Sequence, residues 1–504
     1  LSNEVKETKA VRQKIDYAKV KEVMLQNVRK TKTKTFTRYT KELVKQYTQN
    51  PYNNIDTLRE ISAFLARNSM IYKKILSYFS QMPLFYYNIV YKSDFTKGID
   101  YQKFIKSYND VSLKLQQINM QREFSKVIAT ALRDGVFYGY IYDGEGDGFF
   151  IHALEPKYCK ISAITGDGEY VIYMDANYFN QGNNKEYVQG TDNGTDGVWD
   201  KVFIDGYNEY NSKGNDYRWF ELPAEKTICL LADEDADMAL PYFLPVFTSL
   251  LDLLDLEQIL ASKTELENYI LLLSKIPLIP NTDEVDDFAV SFELVQMIQE
   301  MIDEAVPALV GTAYTPCDLE VVNFNNKNQA EDTNKLAEAM NNLFSNLGVS
   351  ELVVSGGAST NSVGLMQSIR NDESLSLKYV DRLSAWMNTY IKLNYSQDFI
   401  FKFHRITYFS QNDFVSGMKD AATLGLPVAM DYATALGSTP YEVMASTYME
   451  NALEIKTKLW QPLQTSYVQS GTAGAPEKNA EDLSDEGLAT RDGNKNDKTK
   501  AVKG

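Results

Sequence analysis

Between Asp332 and Leu393 the chain carries two helical patterns joined by a segment with almost no side-chain bulk. Leu336, Met340, Leu343, Phe344 and Leu347 recur at helical spacing, which places them on one apolar stripe. Gly348 ends that helix, because the position just past a helix favours φ > 0 and glycine adopts it without a Cβ clash. The loop that follows, Val353 to Ser362, has no charge. A second helix is predicted from about Val363 to Leu393, with Leu365, Ile369, Val380, Leu383, Met387, Tyr390 and Ile391 on its stripe and Ser362 as its N-cap. At 1.5 Å per residue it would run roughly 45 Å if continuous. Alone, the pair is an ordinary helical hairpin. Its surroundings narrow the choice.

At 504 residues the chain is long enough for two or three domains. Its 51 basic and 68 acidic residues leave a net charge of −17, which argues against a whole-protein grip on nucleic acid but not against letting DNA pass. Cys159, Cys229 and Cys317 are odd in number and far apart, so no disulfide framework is expected. No apolar run reaches the ~20 residues of a bilayer span, and no signal-peptide core opens the chain. A soluble protein made inside the cell is expected. The 33 tyrosines and 24 phenylalanines suit extensive packing or subunit interfaces.

Residues 1–50 are a local exception, with 13 Lys/Arg against 5 Asp/Glu. Lys30, Lys32, Lys34, Arg38 and Lys41 cluster there as a solvated arm or a contact for nucleic acid or a neighbouring subunit. Thr57-Leu58-Arg59-Glu60 reads as a capping box opening a helix to about Phe79, with Leu58, Ile61, Leu65, Tyr72 and Ile75 inward. Then come a strand at Phe85–Val90, a helix from Asp110 to Arg133 stopped by Gly135, and a hairpin of Phe137–Tyr142 with Phe149–Leu154. The glycines at 144, 146 and 148 fall in that hairpin turn. No helix follows to make them a phosphate loop. Short strands are predicted at Tyr170–Met174, Lys201–Ile204, Arg218–Glu221 and Ile228–Leu231, with a long loop over Asn180–Gly197. Asp233, Asp235 and Asp237 match the first calcium-loop ligands, but Met238 replaces the glycine and Leu244 the closing glutamate, so a calcium site is rejected.

Pro241–Asn268 is predicted as a helix apolar on more than one face, suited to burial between neighbours. A small α/β insertion follows: Ile276–Ile279 extended, Phe288–Glu304 helical, Ala308–Val310 and Leu319–Phe324 extended. After the long helix come a strand within Phe399–Tyr408, a helix over Asp413–Leu424 ended by Gly425, and another over Pro440–Leu453. Residues 456–504 have a disordered composition. The class is α+β.

Catalytic patterns are missing. His152 and His404 both lie in strand-like runs, and neither accompanies a nucleophile elbow. No P-loop, zinc-spaced cysteines or helical histidine pair occurs. No metal, cofactor or enzymatic activity is expected. A carboxylate-dependent metal nuclease or cell-wall hydrolase stands as the alternative from another class, since scattered carboxylates could build one.

The order of parts over residues 35 to 495 resembles bacteriophage portal proteins, of the type found in long-tailed phages of Gram-positive hosts. The resemblance rests on Asn54 to Leu65, on Ala131 to Tyr140 leading to Leu154 to Cys159, on the apolar helix from Pro241, on the α/β insertion and the helix–loop–helix, and on the tail Glu481 to Gly493. It implies a closed ring, usually a dodecamer, at one capsid vertex, through which double-stranded DNA is packaged and ejected. It also implies a wing over 51–239 behind a basic arm at 1–50, a first stem helix at 240–269 and a clip at 270–325. A second stem helix would follow at 326–348 and a tunnel loop at 349–362. The long helix would return to the wing over 363–410, a crown would occupy 411–455, and 456–504 would be a disordered tail. By the same resemblance the partners would be the terminase large subunit, a head–tail adaptor, and the major capsid and scaffolding proteins. No membrane would be involved, and the location would be the virion after assembly in the host cytoplasm. Ser355, Gly356, Gly357, Ala358, Ser359, Thr360, Asn361 and Ser362 would face the DNA. Small, uncharged residues suit a surface past which a polyanion of any sequence must slide. A tail or baseplate ring component is the alternative within phage structural proteins.

Overall fold

The computed structural model describes residues 39–92, 96, 98–144, 148–182, 184, 199–268, 270–275, 297, 310–315, 329–349 and 362–455. Lys30, Lys32, Lys34 and Arg38, Cys317, most of the expected 180–197 loop, the interior of the α/β insertion and the 456–504 tail lie outside them. The chain divides into two units, Leu1–Val443 and Met444–Gly504. The fold is mixed α+β with small sheets.

Thr40 caps α1 (Lys41–Gln49), its hydroxyl accepting from the Leu43 N–H. Pro51 opens α2 (Pro51–Asn68), and α3 (Met70–Gln81) begins after a break at Ser69. One helix opened by a capping box at Thr57 and running to Phe79 was expected, but Thr57 lies inside α2, which Pro51 starts six residues earlier. Ser69 instead takes extended backbone (φ −102°, ψ 113°), and its side chain caps α3 at Tyr72 N, so a polar residue inside a helical stripe became a boundary. The stripe itself holds: Leu58, Ile61, Leu65, Tyr72 and Ile75 are fully buried. β1 (Tyr87–Tyr91) follows, then α4 (Tyr101–Gln116) and α5 (Met120–Asp134). The single helix expected over 110–133 is broken at Asn119, which caps α5 by accepting from Arg122 N at 3.0 Å.

β2 (Val136–Gly144) and β3 (Gly148–Leu154) form the expected hairpin. Next come β4 (Cys159–Ile164), which the residue pattern did not suggest, and β5 (Tyr170–Asp175). The segment predicted as a strand at Lys201–Ile204 is instead the start of helix α6 (Lys201–Lys213), capped by Asp200. Its buried residues, Phe203, Gly206 and Tyr207, sit three and four apart, and four residues were too few to separate that period from a strand's. Gly206 lets the helix lie against a ring: a Cβ there would come within 2.6 Å of Phe220. β6 (Trp219–Glu221) and β7 (Thr227–Leu231) complete the sheets β3-β2-β7 and β4-β5-β6, all antiparallel.

Sheet β3-β2-β7 separates two cores. Phe137 and Ile141 of β2, with Ile228 and Leu230 of β7, enter the larger cluster with the helices; Val136, Tyr138, Tyr140 and Tyr142, with Cys229, enter the smaller one with β5 and α6. The strand period of two thus serves both faces. α7 (Phe247–Asn268) leads into β8 (Ile270–Lys275), which pairs in parallel with β9 (Val310–Thr315). The extended segment foreseen at 276–279 lies outside the described residues, and β8, just after α7, was not foreseen. Parallel pairing requires a long crossover, which residues 276–309 supply. α8 (Gln329–Leu347) and α9 (Ser362–Asn394) follow, and Gly348 has φ +70°, as expected. β10 (Phe399–Phe403) pairs antiparallel with β1 from the other end of the chain. α10 (Gln411–Thr423), α11 (Ala429–Ala435) and α12 (Pro440–Ala452) close the described residues; α11 was not foreseen.

Candidate functional site

The stretch of greatest interest begins where the chain leaves the larger core. Phe247, Leu250, Leu251 and Leu253, at the start of α7, are buried, whereas Ile259 two turns on is 62% exposed. Leu343, Phe344 and Val349, at the end of α8, lie in the same core, with Leu336, Met340 and Leu347 packed against it. The chain therefore departs along α7 and returns along α8, with the parallel pair β8–β9 between them in sequence. Lys41, the one member of the basic cluster among the described residues, forms an ion pair with Asp252 of α7. The root of the basic arm thus lies beside the departing helix.

After α8 come residues 350–361, which include Ser355, Gly356, Gly357, Ala358, Ser359, Thr360 and Asn361 and lie outside the described residues. Ser362 is the first residue of α9 rather than the residue before it. At 33 residues, α9 runs about 50 Å. Ile369, Tyr379, Val380, Leu383, Trp386, Met387, Tyr390 and Ile391 are buried, so the predicted stripe is the packed face. Trp386 stacks on Tyr390 with centroids 5.2 Å apart and meets Phe124 edge-on.

Polar ties fix the register of this helix. Tyr379 OH donates to the Ala232 carbonyl at 2.6 Å, Trp386 Nε1 to the Thr227 carbonyl at 2.9 Å, and Tyr390 OH to Asp143 at 2.8 Å. The Asn388 amide donates to the Phe401 carbonyl and accepts from its N–H, both at 2.8 Å, which satisfies β10 on the side away from β1. Lys378, Arg382 and Lys392 form a basic face. Arg382 makes a two-point contact with Glu169 at 2.9 Å, reaches Glu234 at 3.1 Å and lies over the Tyr170 ring. Lys378 meets Asp235 and Lys392 meets Asp167. Burial raises the Glu169 carboxyl above its ordinary value, and Arg382 offsets this only in part. The acidic run that mimics a calcium loop therefore has a partner: Glu234 and Asp235 face a helix more than a hundred residues away in the chain.

The two histidines, the two described cysteines and Asp200 are each packed or bonded within the fold. His152 is buried in β3, where burial and then Lys126 push its imidazole down to about 4. His404 follows β10 and bonds Thr434 Oγ1 through Nε2 at 2.7 Å. Cys159 and Cys229 are free and buried, and burial raises both thiols. Asp200 receives the Tyr140 hydroxyl at 2.7 Å and Lys226 Nζ at 2.8 Å; burial would raise its carboxyl, but these bonds hold it low. Among the described residues no three of His, Cys, Asp and Glu converge as metal ligands, and no helix is long and apolar enough to cross a membrane. Residue patterns missed Arg382 and Asn388. The only available signal was the four-residue spacing of Lys378 and Arg382. No family model matches the chain, and neither does any curated protein.

Proposed function

We propose that this chain is a phage portal subunit, one copy of a closed ring that forms the channel for viral DNA at a unique capsid vertex. The observation that carries the reading is the excursion from the core. The chain goes out along α7, through a parallel strand pair, back along α8, across residues 350–361 and into α9, which is docked along the core. An outward helix, a parallel strand pair and a returning helix are in keeping with the order of stem, clip and stem. In sequence order the small uncharged residues from Ser355 to Ser362 come between the returning helix and α9, which supports reading them as a tunnel loop. In this reading the β8–β9 region meets the terminase large subunit during packaging and the head–tail adaptor afterwards, while other surfaces meet capsid and scaffolding proteins. Ile259, exposed on α7, contributes to one half of a heterologous interface that closes on itself.

Electron microscopy of the purified protein tests this directly. Closed rings with a central channel and about twelve subunits are expected. A protein that stays monomeric at every concentration and ionic strength, or that forms only open filaments, is not a portal subunit.

A further inference from the structure

Asp372 and Glu373 are adjacent carboxylates on α9, 7% and 9% exposed. They lie where α9 meets the end of α3 and the turn after β10. Asp372 Oδ2 accepts from the Tyr78 hydroxyl at 3.0 Å, and Ser376, one turn on, donates to the Phe79 carbonyl at 3.0 Å. Glu373 accepts from the Thr407 hydroxyl, which is itself 2.9 Å from Ser410 Oγ. The contacts holding these two acids are neutral hydroxyls. Over the described side chains 364–371 before this point, Gly364, Met366 and Gln367 are exposed, Leu365 and Ser368 are half-buried and Ile369 is buried; beyond it the buried stripe is continuous to Ile391. The pair therefore sits at the boundary between a lightly held leading segment and a firmly docked helix.

A carboxylate taken from water without a cation is costly, and a single hydroxyl returns only part of that cost. The titratable groups on the surrounding elements are Tyr72, Lys73, Lys74 and Tyr78 of α3, Glu373 and Arg370 of α9, Asp413 of α10, and His404, Arg405 and Tyr408 of the turn, with the His404 ring bonded to Thr434 and the Tyr72 hydroxyl to Ser62. Arg370 is directed to Asp413 at 3.8 Å and Arg405 to Asp381 at 3.6 Å.

We infer that Asp372 is the proton-responsive half of a clasp that holds the leading segment of α9 against α3 and the 404–410 turn. Glu373, bonded to Thr407, is the other half. Protonation closes the clasp and ionisation loosens it. Burial raises the Asp372 carboxyl to about 6, with the Tyr78 bond opposing the shift. A carboxyl raised in the closed state binds its proton more tightly there than when open. Closure is thus fully favoured below the ordinary carboxylate value and is lost as pH rises through about 6. The inference concerns the fold of one subunit and stands whether or not the chain forms rings.

Amide hydrogen exchange on the full chain, corrected for intrinsic rates, tests it. Peptides covering 362–376 should open about tenfold more at pH 7.5 than at pH 5, while peptides covering 383–391 should not. Asp372→Asn should abolish that slope and protect the segment at pH 7.5; Glu373→Gln should keep the slope. Should Asp372→Asn fail to fold, Tyr78→Phe serves instead, because losing the donor moves the midpoint upward. A wild type without the slope, an unchanged slope in Asp372→Asn, or a downward midpoint in Tyr78→Phe overturns the inference.

Discussion

At Gly135, helix α5 ends with φ +85°, and a Cβ there would lie 2.4 Å from the Ala239 carbonyl oxygen. Backbone that close cannot yield as a flexible side chain would. Gly135→Ala should therefore cost about 3 kcal/mol or more in urea unfolding. Gly348 has φ +70°, but a Cβ there would meet nothing within 4 Å, so Gly348→Ala should cost only about 1 kcal/mol. Both glycines could be seen as helix stops in the sequence; only the fold separates the expensive one from the cheap one. His152 makes a related point about pH. Its imidazole is lowered to about 4 by burial, so the stability it contributes is complete above the ordinary histidine value and is lost as pH falls from there towards 4. Asp372 acts in the opposite sense over much of the same window, so the wild-type profile understates each. His152→Phe should retain about 2–3 kcal/mol more of its neutral-pH stability than wild type at pH 4.5, read as the change in urea midpoint between pH 7 and 4.5.

At the scale of elements, α9 was the most legible feature and also the one whose ties were hidden. Its apolar stripe follows from period 3.6, a local property, and that face is the buried one. The partners of its basic face lie elsewhere, with Glu169 213 residues from Arg382, and no periodicity reports a separation of that kind. Arg382 is 16% exposed and Glu169 9%, so Arg382→Met leaves a buried carboxylate unpaired and should cost about 3 kcal/mol. Arg382→Lys keeps the charge but not the two-point geometry, and its urea midpoint should fall between the two. The loop before α9 calls for a different experiment. Deleting Gly356–Thr360 should leave ring assembly intact and impair DNA packaging or retention; a variant that no longer folds would mean these residues belong to the core. Helix ends were read less well than helix faces. Ser69 and Asn119 interrupt stripes that continue across them, because a side-chain cap competes locally with helix continuation and periodicity does not register it.

For the whole molecule, a net charge of −17 bears on function directly. A conduit should pass DNA without holding it. Fluorescence anisotropy with duplexes of unrelated sequence should show no sequence preference, and whatever binding the basic arm provides should vanish by about 0.2 M salt. Tight, sequence-selective binding would instead make the chain a reader of DNA. The sequence by itself determined the α+β class, the helix faces, the β2–β3 hairpin and the glycine helix stops, since each depends on residues within a few positions of one another. Only the tertiary structure decided that β1 pairs with β10 across the chain and that one sheet serves two cores. It also decided that a run resembling a calcium loop grips the basic face of α9, and that two adjacent acids lie buried under hydroxyls. Those outcomes depend on contacts between residues far apart in sequence, and their energies arise from desolvation and pairing that exist only once the chain has closed around them.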